Sequence, residues 1–377
     1  MNIARDWNAP KDPWNAPMST QAVHLQFAAM VIFLVAVAVF FPITDDEWWR
    51  LGAARDLRAT GAYDFFWPPL SVVLLVVNPA LDLGPVAVRL FNLALTLPVF
   101  YALAALPKSR WQIALLALML PYMALVVSTA SQQGMMIATL GWLVLRSAMP
   151  WWGKALLLGA GYAINPTLIV LVPLAFAALV LLRRAPLSDL GAAGAAYLLT
   201  IPWAIWAWSL TGDILPTLSV NGPYNLFLGN NPDPLSHRGV GEIDVAWQAL
   251  GLSGAPDYGS AVRAYLAADP VGFAGNLATK AVLFIAPVDH MRSGLGAGFE
   301  AILFSYFAVV EIALYTAVVL HLRRHGPGRA MAVALALFAA AWLIYTAFFV
   351  KVRFRIPFDA LLLFCLLAPE RSAERDR

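Results

Sequence analysis

A succession of apolar runs, each long enough to cross a lipid bilayer, constrains the fold of this chain more than any other feature. The first covers residues 22–41, and about 20 residues at 1.5 Å rise span a hydrocarbon core about 30 Å thick. In lipid every backbone polar group must be paired, so spanning segments are helices or strands of a closed barrel. The runs lack the period-two alternation of barrel strands, which favours helices. Because 61% of the residues are hydrophobic and only 12% are charged, the composition excludes a soluble globular protein. The sequence predicts an all-α polytopic membrane bundle.

Basic residues between the runs predict the orientation of the bundle, because Lys and Arg of short loops stay on the cytoplasmic side. An inside N-terminus gives about ten spans with basic inner loops. This prediction divides the chain into a cytoplasmic tail at 1–21, one transmembrane domain at 22–369 and a cytoplasmic tail at 370–377. The outer loops fall at about 42–85 and 211–298, and turns are expected to dominate the second loop.

The first outer loop begins with three consecutive acids, Asp45, Asp46 and Glu47, directly after the first span. Residues 46–60 predict a short helix with Trp49, Ala53 and Leu57 on one face, and 69–83 predict a segment lying along the membrane. Acids near a helix N-terminus stabilise the helix by about 0.3–1 kcal/mol each, so a purely structural role stays open. A carboxylate at the membrane surface can also take a proton from an attacking hydroxyl, which is worth about 10²–10⁴-fold in rate.

Three cations before the last span, Lys351, Arg353 and Arg355, depart from the orientation rule because the scheme leaves them outside. Guanidinium groups bind phosphate bidentately and keep their charge. In an extended segment, both arginines would point the same way and could hold one phosphate. Simple snorkelling of long side chains to the interface is the alternative.

Several short motifs resemble the outer loops of GT-C glycosyltransferases, such as the protein O-mannosyltransferases and the lipid A aminoarabinose transferase. In the first loop they are Thr44-Asp-Asp-Glu-Trp-Trp, Ala54-Arg-Asp-Leu, Gly61-Ala-Tyr and Trp67-Pro-Pro-Leu70. Later in the chain they are Asn221-Gly, Asn225-Leu, Gly229-Asn-Asn-Pro232 and Val352-Arg-Phe-Arg-Ile-Pro357, the last resembling an Arg-Tyr-x-x-Pro element of the family.

The resemblance implies an enzyme of the bacterial inner membrane whose active site faces the periplasm or outside. It would move a sugar, with inversion, from a polyprenyl-phosphate donor to a hydroxyl of a glycan, lipid or protein acceptor. Asp46 takes the position of the base, with Asp45 and Glu47 as further catalytic candidates. The candidates for binding the donor phosphate are Arg353, Arg355, Lys351, Arg55 and Arg58. The candidates for binding substrate are Tyr63, Trp67, Pro68, Asn225, Asn230 and Asn231.

Two departures from the family pattern and two rival functions bear on this interpretation. Residues 128–133 offer only Ser, Thr, Ala and Gln, which argues against the metal bridge between two acidic loops that a divalent cation, Mg²⁺ or Mn²⁺, would make. The second departure is that we expect no soluble C-terminal domain of the kind that some relatives carry. A polyprenyl-lipid or small-solute transporter should carry ionisable groups at mid-membrane, but the spans are nearly free of charge, with Arg89 near the start of span 2 and Glu311 as the one mid-span exception. A non-catalytic subunit of a cell-envelope complex is the other alternative. No nucleic-acid partner is predicted, and membrane lipid surrounds the chain in every case.

Overall fold

The computed structural model describes residues 19–43, 45–61, 63, 67–106, 109–146, 149–212, 221–231, 258–286, 297–348, 350 and 352–368, with Asp45 and Asp46 described by their backbone. All regular structure in these residues is helical. The two predicted tails at 1–21 and 370–377 lie almost wholly outside the described residues, and so does Lys351.

The described residues form sixteen α-helices, α1 to α16 in chain order, with a 3-10 helix at Pro79–Leu83 and another at Ala196–Thr200 that joins α9 to α10. The first eight are α1 Thr20–Phe40, α2 Asp45–Thr60, α3 Pro69–Val76, α4 Pro85–Ala105, α5 Arg110–Val127, α6 Gln132–Leu145, α7 Trp151–Ile164 and α8 Thr167–Leu181. The others are α9 Leu187–Ala195, α10 Ile201–Thr211, α11 Asn221–Gly229, α12 Tyr258–Ala268, α13 Pro270–Ile285, α14 Ala297–His325, α15 Arg329–Ala347 and α16 Val352–Leu367.

Six helical segments among the described residues are long and apolar enough to cross a membrane: α1, α4, α5, the continuous α9–α10 segment, α14 and α15. Their lengths of 18 to 25 residues match the roughly 20 residues that a bilayer requires. An all-α membrane bundle, as the apolar runs predict, is therefore the architecture of this chain.

Helix α16 lies at the centre of the bundle and packs against α5, α6, α14 and α15. All of its residues are buried except Arg353 and Phe354, as expected for a helix that is apolar on nearly every side. It runs antiparallel to α5, because Gln112 donates to the carbonyl of Leu366 while Tyr122 donates to Asp359. A Cβ at Gly141 of α6 would lie 2.7 Å from Phe364, so the missing side chain allows close helix packing.

The predicted first outer loop contains the expected helix, α2, which begins at Asp45, shortly after α1 ends at Phe40, and ends at Thr60. Gly61 adopts the left-handed conformation that ends the helix, with a φ of 72°. The face with Trp49 is not the buried one, since Trp49 is 54% exposed while Glu47, Arg50, Leu51 and Ala54 are buried. Two charged side chains, Glu47 and Arg50, thus turn inward.

The second outer loop is more helical than expected, since α11, α12 and α13 fall within 211–298. Helix α13 has a clear start signal in the sequence. Asp269 caps it by accepting from the backbone N–H of Gly272, and Pro270 takes the first helical position, where its missing N–H costs nothing. The remainder of this loop, 213–220, 232–257 and 287–296, lies outside the described residues.

At the opposite end of the bundle, one buried aspartate joins three helices. Asp189 of α9 accepts from Lys154 of α7 at 2.6 Å and from Arg329 of α15 at 2.7 Å. Each cation neutralises part of a carboxylate that burial would otherwise penalise. Both partners belong to basic segments that the orientation rule assigns to the cytoplasm.

Candidate functional site

The first turn of α2, which contains the acidic triplet, is attached to the bundle through Glu47. The Glu47 carboxylate is 1% exposed. It accepts two N–H groups of Arg89 in α4, at 2.8 Å from Nε to Oε1 and 2.6 Å from Nη2 to Oε2. It also accepts the backbone N–H of Ala130 at 2.8 Å. Glu47 therefore ties together α2, α4 and the turn between α5 and α6.

The remaining donors of Arg89 hold the end of α1. Its Nη1 donates to the carbonyls of Ala38 and Phe41, and its Nη2 donates to that of Pro42 at 2.9 Å. Ala38 lies in the last turn of α1, whose carbonyls have no partner within the helix, and Phe41 and Pro42 follow the helix directly. Since Arg89 is 0% exposed, one buried guanidinium fixes the exit of α1 against the start of α2.

Asp45 and Asp46 occupy the first turn of α2, two residues and one residue before this anchor, respectively. Glu47 carries three charge-assisted or backbone bonds, so its geometry is that of a positioning residue. Its assignment as a catalytic acid or base stays a prediction, as do the roles of Asp45 and Asp46.

Arg55 and Arg58 brace the first outer loop internally. Arg58 donates to the carbonyls of Val76 and Asn78 and pairs with Asp82 at 2.7 Å. Arg55 donates to the carbonyl of Leu81 at 3.3 Å. Arginine on the free carbonyls after a helix C-terminus is favourable, and these contacts turn both side chains toward α3 and the 3-10 helix. Their phosphate-binding roles stay predictions.

The aromatic residues of the first loop meet helix α10. The Tyr63 hydroxyl donates to the carbonyl of Trp67. The Tyr63 ring lies 5.6 Å from Trp203 and 6.2 Å from Trp206, parallel to the second. Pro68 is buried. Sequence reasoning missed Trp203 and Trp206, because nothing in the sequence shows which residues distant along the chain they contact.

A buried lysine that sequence reasoning missed connects the predicted second outer loop to the end of α15. Asn230 donates to the carbonyls of Leu226 and Ala347 and accepts from Lys280 Nζ at 3.0 Å. Lys280 also donates to the carbonyl of Phe348 at 3.1 Å. The sequence signal that could have identified this residue is a single lysine within the apolar run of α13.

The neighbouring asparagines extend this network. Asn276 donates to the carbonyl of Asn231 at 3.2 Å and to the Tyr265 hydroxyl at 2.9 Å. Burial, and then Asp269, raise the pKa of Tyr265. Asn231 is fully buried, whereas Asn225 on α11 is half-buried. Asn230 and Asn231 thus hold structure together, and substrate contact by all three asparagines stays a prediction.

The segment with Arg353 and Arg355 is not extended, because α16 begins at Val352. Two residues apart on a helix differ by about 200° in direction, so the two arginines do not project together. Arg353 is half-buried, with its guanidinium 5.3 Å from the Phe354 ring. Arg355 is 1% exposed and points into the bundle.

Arg355 is the hub of a buried polar cluster, defined here as Arg355, Glu311, Asp359, Tyr122 and Tyr315. Its Nε donates to Asp359 at 3.0 Å, and its Nη2 donates to Glu311 and, at 3.3 Å, to the Tyr122 hydroxyl. Both tyrosines donate to Asp359, Tyr122 at 2.7 Å and Tyr315 at 3.0 Å. Asp359 is a charge within the last span that sequence reasoning overlooked, so the description of the spans as nearly free of charge is wrong.

The other two N–H groups of Arg355 hold the end of α13. Nη1 donates to the carbonyl of Phe284 at 2.6 Å and to that of Ala286 at 3.1 Å. A guanidinium has five N–H donors, and all five are engaged here. This conformation leaves Arg355 no donor for a phosphate, so it acts as a positioning residue, and of the two arginines Arg353 keeps the phosphate-binding prediction.

The described residues contain no group of three or more His, Cys, Asp or Glu side chains placed to hold a metal ion. His237 and His290 lie outside them. Comparisons with protein-family models, with curated proteins and with solved structures found no match to this chain.

Proposed function

We propose that this chain is a GT-C-type glycosyltransferase that moves a sugar from a polyprenyl phosphate to an acceptor hydroxyl on the outer face of the membrane. The observation that carries the proposal is the buried Glu47–Arg89–Ala130 anchor. It holds the first turn of α2, with Asp46 in it, at the exit of α1. Catalytic groups act efficiently when neighbouring bonds fix their position, and an anchored acid at the mouth of a span meets that condition.

The reaction follows from the charges at this end of the bundle. Asp46 takes the proton of the acceptor hydroxyl, whose oxygen forms a bond to the anomeric carbon. The bond from that carbon to the phosphate oxygen breaks, and polyprenyl phosphate leaves with the electron pair. A single displacement inverts the anomeric centre. Arg353, at the start of α16, is the cation proposed to neutralise the leaving phosphate.

The proposal includes ten membrane crossings, with α6, α7, α8 and α16 added to the six long segments. These four helices have 14 to 16 residues, or roughly 21–24 Å at 1.5 Å per residue. The antiparallel contact of α16 with α5 along its length supports a crossing by α16. Alternation of direction then assigns α2, α3, α11, α12 and α13 to the outer face.

The orientation is tested by reporter fusions. Fusions after Arg110, Arg184 and Arg324 are expected to report the cytoplasm, because basic short loops remain inside, and a fusion near Asn231 is expected to report the outside. An outside signal after Arg184 would reverse the orientation and remove the proposed site from the outer face.

The function is tested by mass spectrometry of envelope glycans from cells with and without the chain. Loss of one sugar residue from a defined glycan, restored by the wild-type chain, is the expected result. Transfer from a synthetic polyprenyl-phosphate sugar in nanodiscs then tests the activity directly. Unchanged glycans together with no transfer would count against the proposal.

A transporter is the second candidate, because the Arg355 cluster places ionisable side chains inside the bundle, as pumps and transporters do. Proteoliposomes distinguish the two functions. A transporter would move polyprenyl-linked or small solutes, or protons, across a sealed membrane without altering them chemically, whereas the proposed enzyme would leave product and donor on one side.

Arg353 gives a further prediction, since a bidentate phosphate contact does not tolerate lysine, whereas snorkelling does. Arg353→Lys is expected to lower transfer, or binding of polyprenyl phosphate, by about tenfold or more, equivalent to about 1.4 kcal/mol. Arg184→Lys, an exposed arginine in the link between α8 and α9, is the control and should be neutral. Near-normal values for Arg353→Lys would leave snorkelling as the explanation.

A further inference from the structure

The buried polar cluster contains more carboxylates than cations. Glu311 and Asp359 are 4% and 0% exposed, and Arg355, at 1% exposed, is the one cation in contact with either of them in the part of the chain that the structure describes. With both acids ionised, the cluster would carry one net negative charge away from water. An uncompensated buried charge is costly, and a buried carboxyl normally takes up a proton instead.

The two carboxyls differ sharply in their hydrogen-bond donors. Asp359 accepts three bonds, from Arg355, Tyr122 and Tyr315. Glu311 accepts one, from Arg355. Donors stabilise the ionised form of a carboxyl, so Asp359 is the acid that Arg355 neutralises. Glu311 is the acid left over.

The elements packed around Glu311 contribute one cation, Arg355, and no second one among the described residues. Helix α5 contributes Tyr122, α14 contributes Tyr315, and α16 contributes Arg355 and Asp359. Helix α13 contributes backbone carbonyls, which accept from Arg355 and carry no donor for Glu311. The charged groups of the cluster are therefore one cation and two carboxyl groups.

We propose that Glu311 is a neutral carboxylic acid at neutral pH, so that the cluster is a proton-binding site inside the bundle. The same guanidinium that contacts Glu311 holds the end of α13. Loss of the proton would place a second negative charge beside Arg355 and redistribute its five bonds. Proton occupancy of Glu311 is therefore coupled to the attachment of α13 to the central helix. The inference is independent of the proposed transfer activity.

Infrared spectroscopy of the full chain in nanodiscs tests this assignment. We expect a carbonyl band of a protonated carboxyl group at neutral pH that shifts when isotope-labelled glutamate replaces the ordinary residue. Glu311→Gln should abolish the band. The control Asp82→Asn removes an exposed acid and should leave it unchanged. A wild-type spectrum without the band, or one that persists unchanged in Glu311→Gln, would overturn the proposal.

The stability of Glu311→Gln gives a second, separate readout. Glutamine has the shape of a neutral glutamic acid, so the variant should fold with a thermal midpoint close to that of the wild type, and its midpoint should change less with rising pH. If Glu311 were ionised and paired with Arg355, the same substitution would break a buried ion pair. A failure to fold or a large drop in midpoint would therefore also contradict a neutral Glu311.

Discussion

Asp46→Asn is expected to lower sugar transfer by at least about 10²-fold, because it removes the proposed general base and little else. Asparagine has nearly the same shape and can still occupy the first turn of α2, where Asp46 lies next to the anchored Glu47. Folding and donor binding should therefore remain close to wild type. Transfer from a polyprenyl-phosphate sugar by the purified variant in nanodiscs is the measurement, with donor binding measured in parallel.

Two matched variants show whether the effect belongs to position 46. Asp45→Asn, one residue earlier, should lower transfer less. Asp56→Asn, an exposed acid on the same helix, should leave transfer unchanged. If Asp46→Asn keeps more than about a tenth of wild-type turnover, a rate loss smaller than general-base help supplies, Asp46 is not the base.

Arg89→Met is expected to destabilise the chain by about 3–5 kcal/mol, because removing one partner of a buried ion pair leaves the other charge uncompensated. In this chain the orphaned group would be Glu47, and the carbonyls of Ala38, Phe41 and Pro42 would lose their donor as well. Since the same contacts hold the first turn of α2, transfer should fall together with stability. Thermal unfolding in detergent is the measurement.

The control is Arg58→Met, which removes a partly exposed ion pair with Asp82 from the same loop. This variant should lose little stability, because exposed ion pairs contribute about 0–1 kcal/mol. The double variant Glu47→Leu with Arg89→Met should regain part of the lost stability, since an apolar replacement removes both buried charges. A single Arg89→Met variant as stable as Arg58→Met would show that the anchor is not needed for folding.

Local sequence signals were enough to locate the long apolar helices of the bundle and α2, although the helices α11, α12 and α13 were not expected. Apolar runs indicated the spans because lipid admits few backbone structures. The boundaries of α2 followed from the end of the first run and from Gly61, and the start of α13 was marked by Asp269 and Pro270. Each of these signals acts between residues a few positions apart, so the sequence carries them directly.

The direction of the charged side chains was decided by the tertiary structure alone. Glu47 meets Arg89 from 42 positions away, and Arg355 meets Tyr122 from 233 positions away. In a helix that is apolar on almost every side, such as α16, periodicity does not indicate which face receives a charge. Arg355 and Asp359 are buried because partners from three other helices satisfy their hydrogen bonds. Those partners come together only when the bundle is assembled, because burying a charge is favourable only where its partners are already in place.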